Sequence, residues 1–271
     1  MSALKYQLLE TGEEWSEAWE YILNYHPNYL AAYIRLRKVP LDRQALDRKT
    51  QELILLAMDA SCTHLFTPGI SAHINGALQC GARVSEIMET LELVSVLGVH
   101  AMTVGVPLLL EVMDEGMQMG DFPRELDGPR QAMKDDFINR RGYWNTYWEP
   151  VLRLSPRFFE AYLMYSSLPF EETGNALPPK IKELIYCAID CSTTHLYGPG
   201  LKIHIRNAIE CGAQPDEVLE VFQLATLMGA QTVLIGAQTL KEELDRTRTK
   251  AMLYRRASQE SQRSVHSNID M

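Results

Sequence analysis

The segment Thr63–Ile74, THLFTPGISAHI, returns 131 positions later as Thr194–Ile205, THLYGPGLKIHI. The same offset lays Glu52-Leu53-Ile54 on Glu183-Leu184-Ile185, Asp59 on Asp190, Cys80-Gly81-Ala82 on Cys211-Gly212-Ala213, Glu86 on Glu217 and Gly98 on Gly229. Upstream the offset is 129, so that Pro27 meets Pro156, Tyr33 meets Tyr162 and Pro40 meets Pro169. A two-residue insertion in the second copy therefore belongs to the loop 171–179, where extra length costs little. Such a repeat restricts the chain to folds that one supersecondary unit can build twice.

Each unit reads as helices. Val84, Ile87, Met88, Leu91, Val94 and Val96 recur near the helical period after a Ser85 cap, predicting a helix over 85–97, and Pro215 opens its second copy. Cys80-Gly81 and Cys211-Gly212 read as helix ends closed by glycine. Period-two alternation with Asn-Gly or Asp-Gly turns is missing. The expected fold is all-α, with two similar helical domains at 13–120 and 136–246 joined near Gly120 to Asp135. The polar tail 247–271 is expected to fray or to lie on a neighbouring subunit.

With 271 residues, 46% of them apolar, there is ample material for a core. A net charge of −9 argues against nucleic acid or an anionic membrane surface as partner. No uninterrupted apolar run reaches spanning length, and the N-terminus lacks a signal pattern, so a cytoplasmic protein is expected. Five cysteines without a Cys-x-x-Cys pair predict reduced thiols, with Cys80 and Cys211 as buried packing residues.

The repeated motif carries the candidate chemistry. With Thr67 as cap and Pro68 in the first turn, a helix runs to Cys80 with the inward stripe Ile70, His73, Ile74, Ala77 and Leu78. The second copy repeats it as Leu201, His204, Ile205, Ala208 and Ile209. Free N–H groups near Gly69 and Gly200 suit a substrate carboxylate, which His64 and His195 can face from the preceding loop. Glu52 and Glu183 head the helix entering the motif and can pair with a histidine, giving the acid/base set Glu52, His64, His73 and Glu183, His195, His204. Tyr197, Lys202 and Arg206 stand where the first copy has Phe66, Ser71 and Asn75, so the second site is expected to be more polar, with Tyr197 and Arg206 as substrate contacts. Two other readings stay open: structural core histidines, or a metal on Glu, His and His, although His-x8-His is no recognised local metal motif. His100 faces Gln231 in the other copy, so any role for it is confined to one half.

The pattern Glu52-Leu-Ile, His73-Ile-Asn-Gly-Ala-Leu-Gln-Cys-Gly-Ala and Glu86-Ile, repeated from Glu183, His204 and Glu217, resembles the carboxymuconolactone decarboxylase family, which includes the alkylhydroperoxidase D proteins. The resemblance implies two tandem alkylhydroperoxidase D-like helical domains and assembly into rings, here a homotrimer imitating a hexamer. It implies Glu52, His73, Glu183 and His204 as site residues. Peroxidase members carry Cys-x-x-Cys seven residues before the motif histidine, where this chain has Phe66 and Gly69, and Tyr197 and Gly200. Dithiol peroxide reduction therefore has no agent here. The expected activity is a lyase of the carboxymuconolactone decarboxylase type acting on a small carboxylate or lactone by Glu/His chemistry, without a metal or organic cofactor. The alternatives are a metal-dependent enzyme and a non-catalytic binding or assembly protein.

Overall fold

The computed structural model describes residues 2–114, 125–171 and 176–267, with side chains through residue 253. Every regular element among the described residues is a helix. Packing divides the chain into two compact units, 1–43 with 226–271, and 44–225. The first unit begins with α1 (Ala3–Glu10), α2 (Glu17–Tyr25) and α3 (Pro27–Arg43). The second runs through α4 (Arg48–Asp59), α5 (Thr67–Gln79), α6 (Val84–Ser95), α7 (His100–Asp114), α8 (Gly128–Arg141), α9 (Trp148–Leu154) and α10 (Pro156–Ser167). It continues with α11 (Pro179–Cys191), α12 (Gly198–Glu210) and α13 (Pro215–Thr226), and α14 (Gly229–Ser267) belongs to the first unit.

The middle of the second unit is a pair of helices from different copies, α4 against α11, each forming a hairpin with the motif helix that follows it, α5 or α12. Leu53 to Met58 on α4 and Leu184 to Ile189 on α11 are all buried, at most 6% exposed. A helix that is apolar all round has nowhere to go but the centre. Two buried glutamates then hold the copies together reciprocally. Glu220 on α13 accepts the backbone N–H groups of Ala45 (2.8 Å) and Leu46 (3.3 Å) and the Gln51 amide (2.8 Å). Glu89 on α6 accepts those of Ala176 (2.6 Å) and Leu177 (2.8 Å) and pairs with buried Lys182 at 2.6 Å. Between the motif loops the Thr63 hydroxyl donates to that of Thr194 at 3.3 Å, so equivalent residues meet on a local pseudo-two-fold axis.

Duplication also shows in the aromatic pairs. Trp19 stacks on Tyr33 in the first unit at 4.9 Å, and Trp148 meets Tyr162 in the second at 5.4 Å. Around Trp148 gather Phe137, Val151, Leu152, Phe159 and Leu163, a core built by α8 to α10.

Several expectations need adjustment. The first helix after the motif is α6 from Val84, not Ser85: Arg83 takes the cap position and its N–H donates to Glu86 at 2.7 Å. The motif helix likewise has Phe66, not Thr67, at its cap. Cys80 and Cys211 do end their helices, with Gly81 at φ 82° and Gly212 at φ 90°, but both thiols are exposed, because a residue at the helix end no longer shares the inward face. Leu78 and Ile209 are also half exposed, so the outer end of each stripe faces outward. The tail, expected to fray or to lie on a neighbouring subunit, continues α14 as helix through Ser267, and residues 268–271 lie outside the described residues. The expected joint at Gly120 to Asp135 and the insertion at 171–179 lie partly outside them, at 115–124 and 172–175. Contrary to the reading of the sequence, the stretches Val84–Asp114 and Pro215–Leu253 are long and apolar enough by composition to span a bilayer. In the first, Glu86 and Glu89 are buried with polar partners and a 3-10 turn at Val96–Val99 interrupts the helix, as in the core of a folded domain.

Glu86 illustrates how the helix starts are stabilised. Burial alone would raise its carboxyl, but the Arg83 N–H and the Lys49 ammonium at 2.9 Å outweigh it and hold it below the ordinary glutamate value. Glu217 repeats the arrangement with the Gln214 N–H at 2.7 Å and Lys180 at 2.8 Å. A depressed carboxyl stabilises the fold above its unfolded-state value and loses that contribution as the pH falls through its folded one. Glu86→Gln should therefore cost about 0.5–2 kcal/mol at pH 7, the range of a lost helix cap. In urea titrations the difference from wild type should shrink as the pH falls below 4.5, the unperturbed glutamate value; a penalty independent of pH would contradict the assignment.

Candidate functional site

On α4 and on α11 two acids flank the apolar run seven residues apart, Glu52 with Asp59 and Glu183 with Asp190. Seven residues are nearly two turns, so both acids of a helix point to one side, toward the following motif helix. All four are buried. His73 Nδ1 meets Glu52 Oε2 at 2.7 Å while its Nε2 lies 3.6 Å from Asp59 Oδ2, so one imidazole stands between two carboxylates. The second copy repeats the first contact, with His204 Nδ1 2.7 Å from Glu183 Oε2. The expected Glu/His pairs are thus both formed.

The loop histidines sit across the second acid of each helix. His64 Nε2 is 3.6 Å from Asp59 Oδ1 and His195 Nε2 is 3.8 Å from Asp190 Oδ1. Their loops are tied back by Phe66 N–H to Asp59 C=O and Tyr197 N–H to Asp190 C=O, both at 2.9 Å. Turning so tightly leaves Leu65 at φ 49° and Leu196 at φ 52°, a left-handed conformation that costs a side-chain-bearing residue about 1–2 kcal/mol. The strain is kept in both copies where it aims a histidine.

Gly69 and Gly200 lie at the motif helix start, as expected, and face an internal carboxylate. A methyl group on Gly69 would collide with Asp59 Oδ2, and one on Gly200 with Asp190 Oδ2. Asp59 and Asp190 were not among the residues singled out from the sequence; their signal was an acid ending a buried apolar run in both copies. Arg206 and Lys202 are exposed and do not line the cavity described next.

The second copy opens a cavity of about 40 Å³ lined by His100, Asp190, His204 and Arg141 with Tyr143, Tyr147, Tyr162 and Tyr186. That is room for a few waters or a carboxylate end group. Tyr186 stacks on His204 at 4.5 Å, and burial pushes its phenol up to about 12. Burial likewise pushes Asp190 up to about 7, and its Oδ2 makes no hydrogen bond. Arg141 comes from the end of α8, where Gly142 at φ 76° stops the helix. Its guanidinium lies 4.1 Å over Phe170 and donates to the Ser166 carbonyl, and its buried Nε makes no hydrogen bond. Sequence reasoning missed Arg141 because it lies outside the motif, in a segment that reads as an ordinary polar helix end.

Tyr197 meets the site indirectly, packing on the His100 ring at 4.1 Å. His100 in turn shares a hydrogen bond with His195, Nδ1 to Nε2, at 2.8 Å. The Glu, His and His set considered for a metal does not converge as a trio. Among the described residues, the group at ligand spacing is His100, Asp190 and His195.

The two copies differ in how far they are closed. Arg48 pairs with Glu52 in the first, and Pro179 holds that place in the second. Tyr186 and Tyr197 replace Leu55 and Phe66. The close approach of Asp190 to Gly200 predicts that Gly200→Ala overpacks the site and lowers stability by about 1–3 kcal/mol. Gly198→Ala, where an added methyl meets nothing within 4 Å, should be neutral or slightly stabilising. Equal midpoints for the two variants in thermal unfolding would show that the carboxylate does not sit there.

The sequence model of the carboxymuconolactone decarboxylase family matches residues 27–113 and 156–238. No curated protein matches the chain significantly. Among solved structures, a crystal structure from Burkholderia xenovorans LB400, given provisionally as a gamma-carboxymuconolactone decarboxylase subunit, is 44% identical. The similarity covers 90% of this chain and 97% of that one with a TM-score of 0.85. With both repeats matched by the family and the helical architecture shared along nearly the whole chain, this protein belongs to the carboxymuconolactone decarboxylase family.

Proposed function

We propose that the chain is a lyase of the carboxymuconolactone decarboxylase type and that its second copy holds the working site. The observation that carries this reading is Arg141: a buried guanidinium with an unsatisfied Nε–H on the wall of the cavity that also holds His204. A buried donor of that kind favours a carboxylate ligand, since the charge-assisted bond replaces a desolvated, unpaired group.

Decarboxylation needs one carboxylate to leave and the resulting electron pair to be held. A guanidinium on the departing carboxylate would stabilise the ground state and slow the reaction. Arg141 therefore holds a carboxylate that stays. The bond between carbon and the departing carboxylate breaks, carbon dioxide leaves, and the electron pair passes into the conjugated lactone carbonyl of the substrate. His204, backed by Glu183, returns a proton to carbon, so the substrate itself supplies the electron sink. Tyr186 against the imidazole fixes the ring plane. Thiol redox chemistry has no part, since Phe66 and Gly69, and Tyr197 and Gly200, fill the cysteine positions of the peroxidase members.

The reading extends to organisation. The repeats at 13–120 and 136–246 serve as the two functional domains, the partners are a small acidic substrate and further copies of the chain, and the protein works in the cytoplasm. The exposed Val104, Leu108, Leu109 and Val112 on α7 form an apolar face suited to burial in a homotrimer.

Purified protein given gamma-carboxymuconolactone should release carbon dioxide. His204→Asn should lower kcat by about 10²- to 10⁴-fold, the contribution of a positioned acid/base, with the smaller loss in His73→Asn. Arg141→Met should raise KM more than it lowers kcat. Absence of turnover on lactone dicarboxylates, or full turnover in His204→Asn, would reject the reading.

A further inference from the structure

His100, His195 and Asp190 stand apart from the Glu183–His204 pair, and the proposed reaction does not use them. Their ligand atoms lie within 4.8 Å of one another. His100 Nδ1 and His195 Nε2 are 2.8 Å apart with ring planes 11° from parallel, and Asp190 Oδ1 is 3.8 Å from the same His195 nitrogen. We propose that these three side chains form a binding site for one divalent transition-metal ion of the zinc class, built where His100 of the first repeat meets the motif loop of the second.

Three arguments carry it. Tetrahedral zinc with bonds near 2.0–2.1 Å sets its ligand atoms about 3.3 Å apart, so the nitrogen pair at 2.8 Å must open slightly while Asp190 closes on His195 from 3.8 Å and on His100 from no more than 4.8 Å. Both shifts are within the reach of side-chain rotation. Next, His100 Nδ1 and His195 Nε2 already share one proton, so a change of tautomer that moves it to the far nitrogen of its ring leaves a lone pair from each imidazole aimed at one point. Last, Asp190 is 3% exposed, a buried carboxylate whose Oδ1 faces His195 at 3.8 Å, and a cation there would offset its desolvation. Two imidazoles and one carboxylate suit zinc, cobalt(II) and iron(II) and leave a fourth position for water or ligand.

The scaffold supports the trio from independent elements. His100 opens α7 under the Tyr197 ring, Asp190 comes from the end of the buried α11, and His195 rides on the loop constrained by Leu196. The first copy lacks the set because Gln231 occupies the position of His100. The complete set therefore forms at one of the two motifs, although His64 and Asp59 repeat its other two members.

The test uses the full chain, freed of metal by chelator and dialysed. Zinc chloride titrated calorimetrically should bind one ion per chain, and cobalt(II) should give the visible absorption of four-coordinate cobalt. His100→Gln, which writes in the residue of the other copy, and Asp190→Asn should each weaken zinc binding by more than about a hundredfold, beyond what loss of an outer hydrogen-bond partner costs a metal site. Circular dichroism checks that both variants keep their helices, and the cobalt spectrum of the wild type needs no variant. No uptake of zinc or cobalt, or uptake unchanged in His100→Gln and His195→Gln, would overturn the assignment. None of these readouts depends on turnover, so failure of the decarboxylase reading and failure of the metal site are separately visible.

Discussion

A carboxylate inside an apolar helix pair must be met by a cation, a proton or hydrogen-bond donors, and this protein puts two on each of its central helices. Desolvating an ion costs several kcal/mol, and removing one partner of a buried pair typically costs about 3–5 kcal/mol. The placement of α5 and α12 follows from that constraint: each must bring its histidine to the acid one hairpin back. The glycine at the start of each motif helix answers the same demand, since any side chain there would evict the second acid. The arrangement of the candidate site and the folding problem are thus one problem, solved by the same contacts.

The second copy solves it less completely. In the first copy, Arg48 and His73 both compensate Glu52, and Asp59 has His73 and His64 close by. In the second, Pro179 leaves Glu183 with His204 and no arginine at that position, and Arg141 keeps an unbonded Nε–H beside a small cavity. Incomplete satisfaction destabilises a fold, and it marks the place where a ligand has something to gain.

Much of this was legible in the sequence. The duplication, the helical class, the glycine helix ends and the Glu52–His73 and Glu183–His204 pairs follow from spacing and from a residue pattern written twice. Asp190 was harder to see, because an acid at the end of an apolar helix looks like an ordinary helix terminus until its burial is known. Arg141 and His100 were harder still. They come from α8 and α7, far from the motif in sequence, and only the packing of α8 to α10 brings them to its histidine. Burial at helix ends was misjudged in the other direction: Cys80 and Cys211 extend an apolar pattern but face outward, since periodicity shows which side of a helix is apolar and not where its cover stops.

Thr63 and Thr194 touch across the local two-fold. A dimer of separate identical chains must place the same residue on both sides of such an axis, so each substitution is made twice and every gain at one site is imposed on the other. Joining the halves in one chain removes that obligation and, for this pairing, the dependence of assembly on concentration. The two motifs are then free to differ, one gathering arginine, tyrosine and a third histidine around its acid and the other doing without them. The two threonines mark a symmetry that the backbone retains and the side chains have been released from.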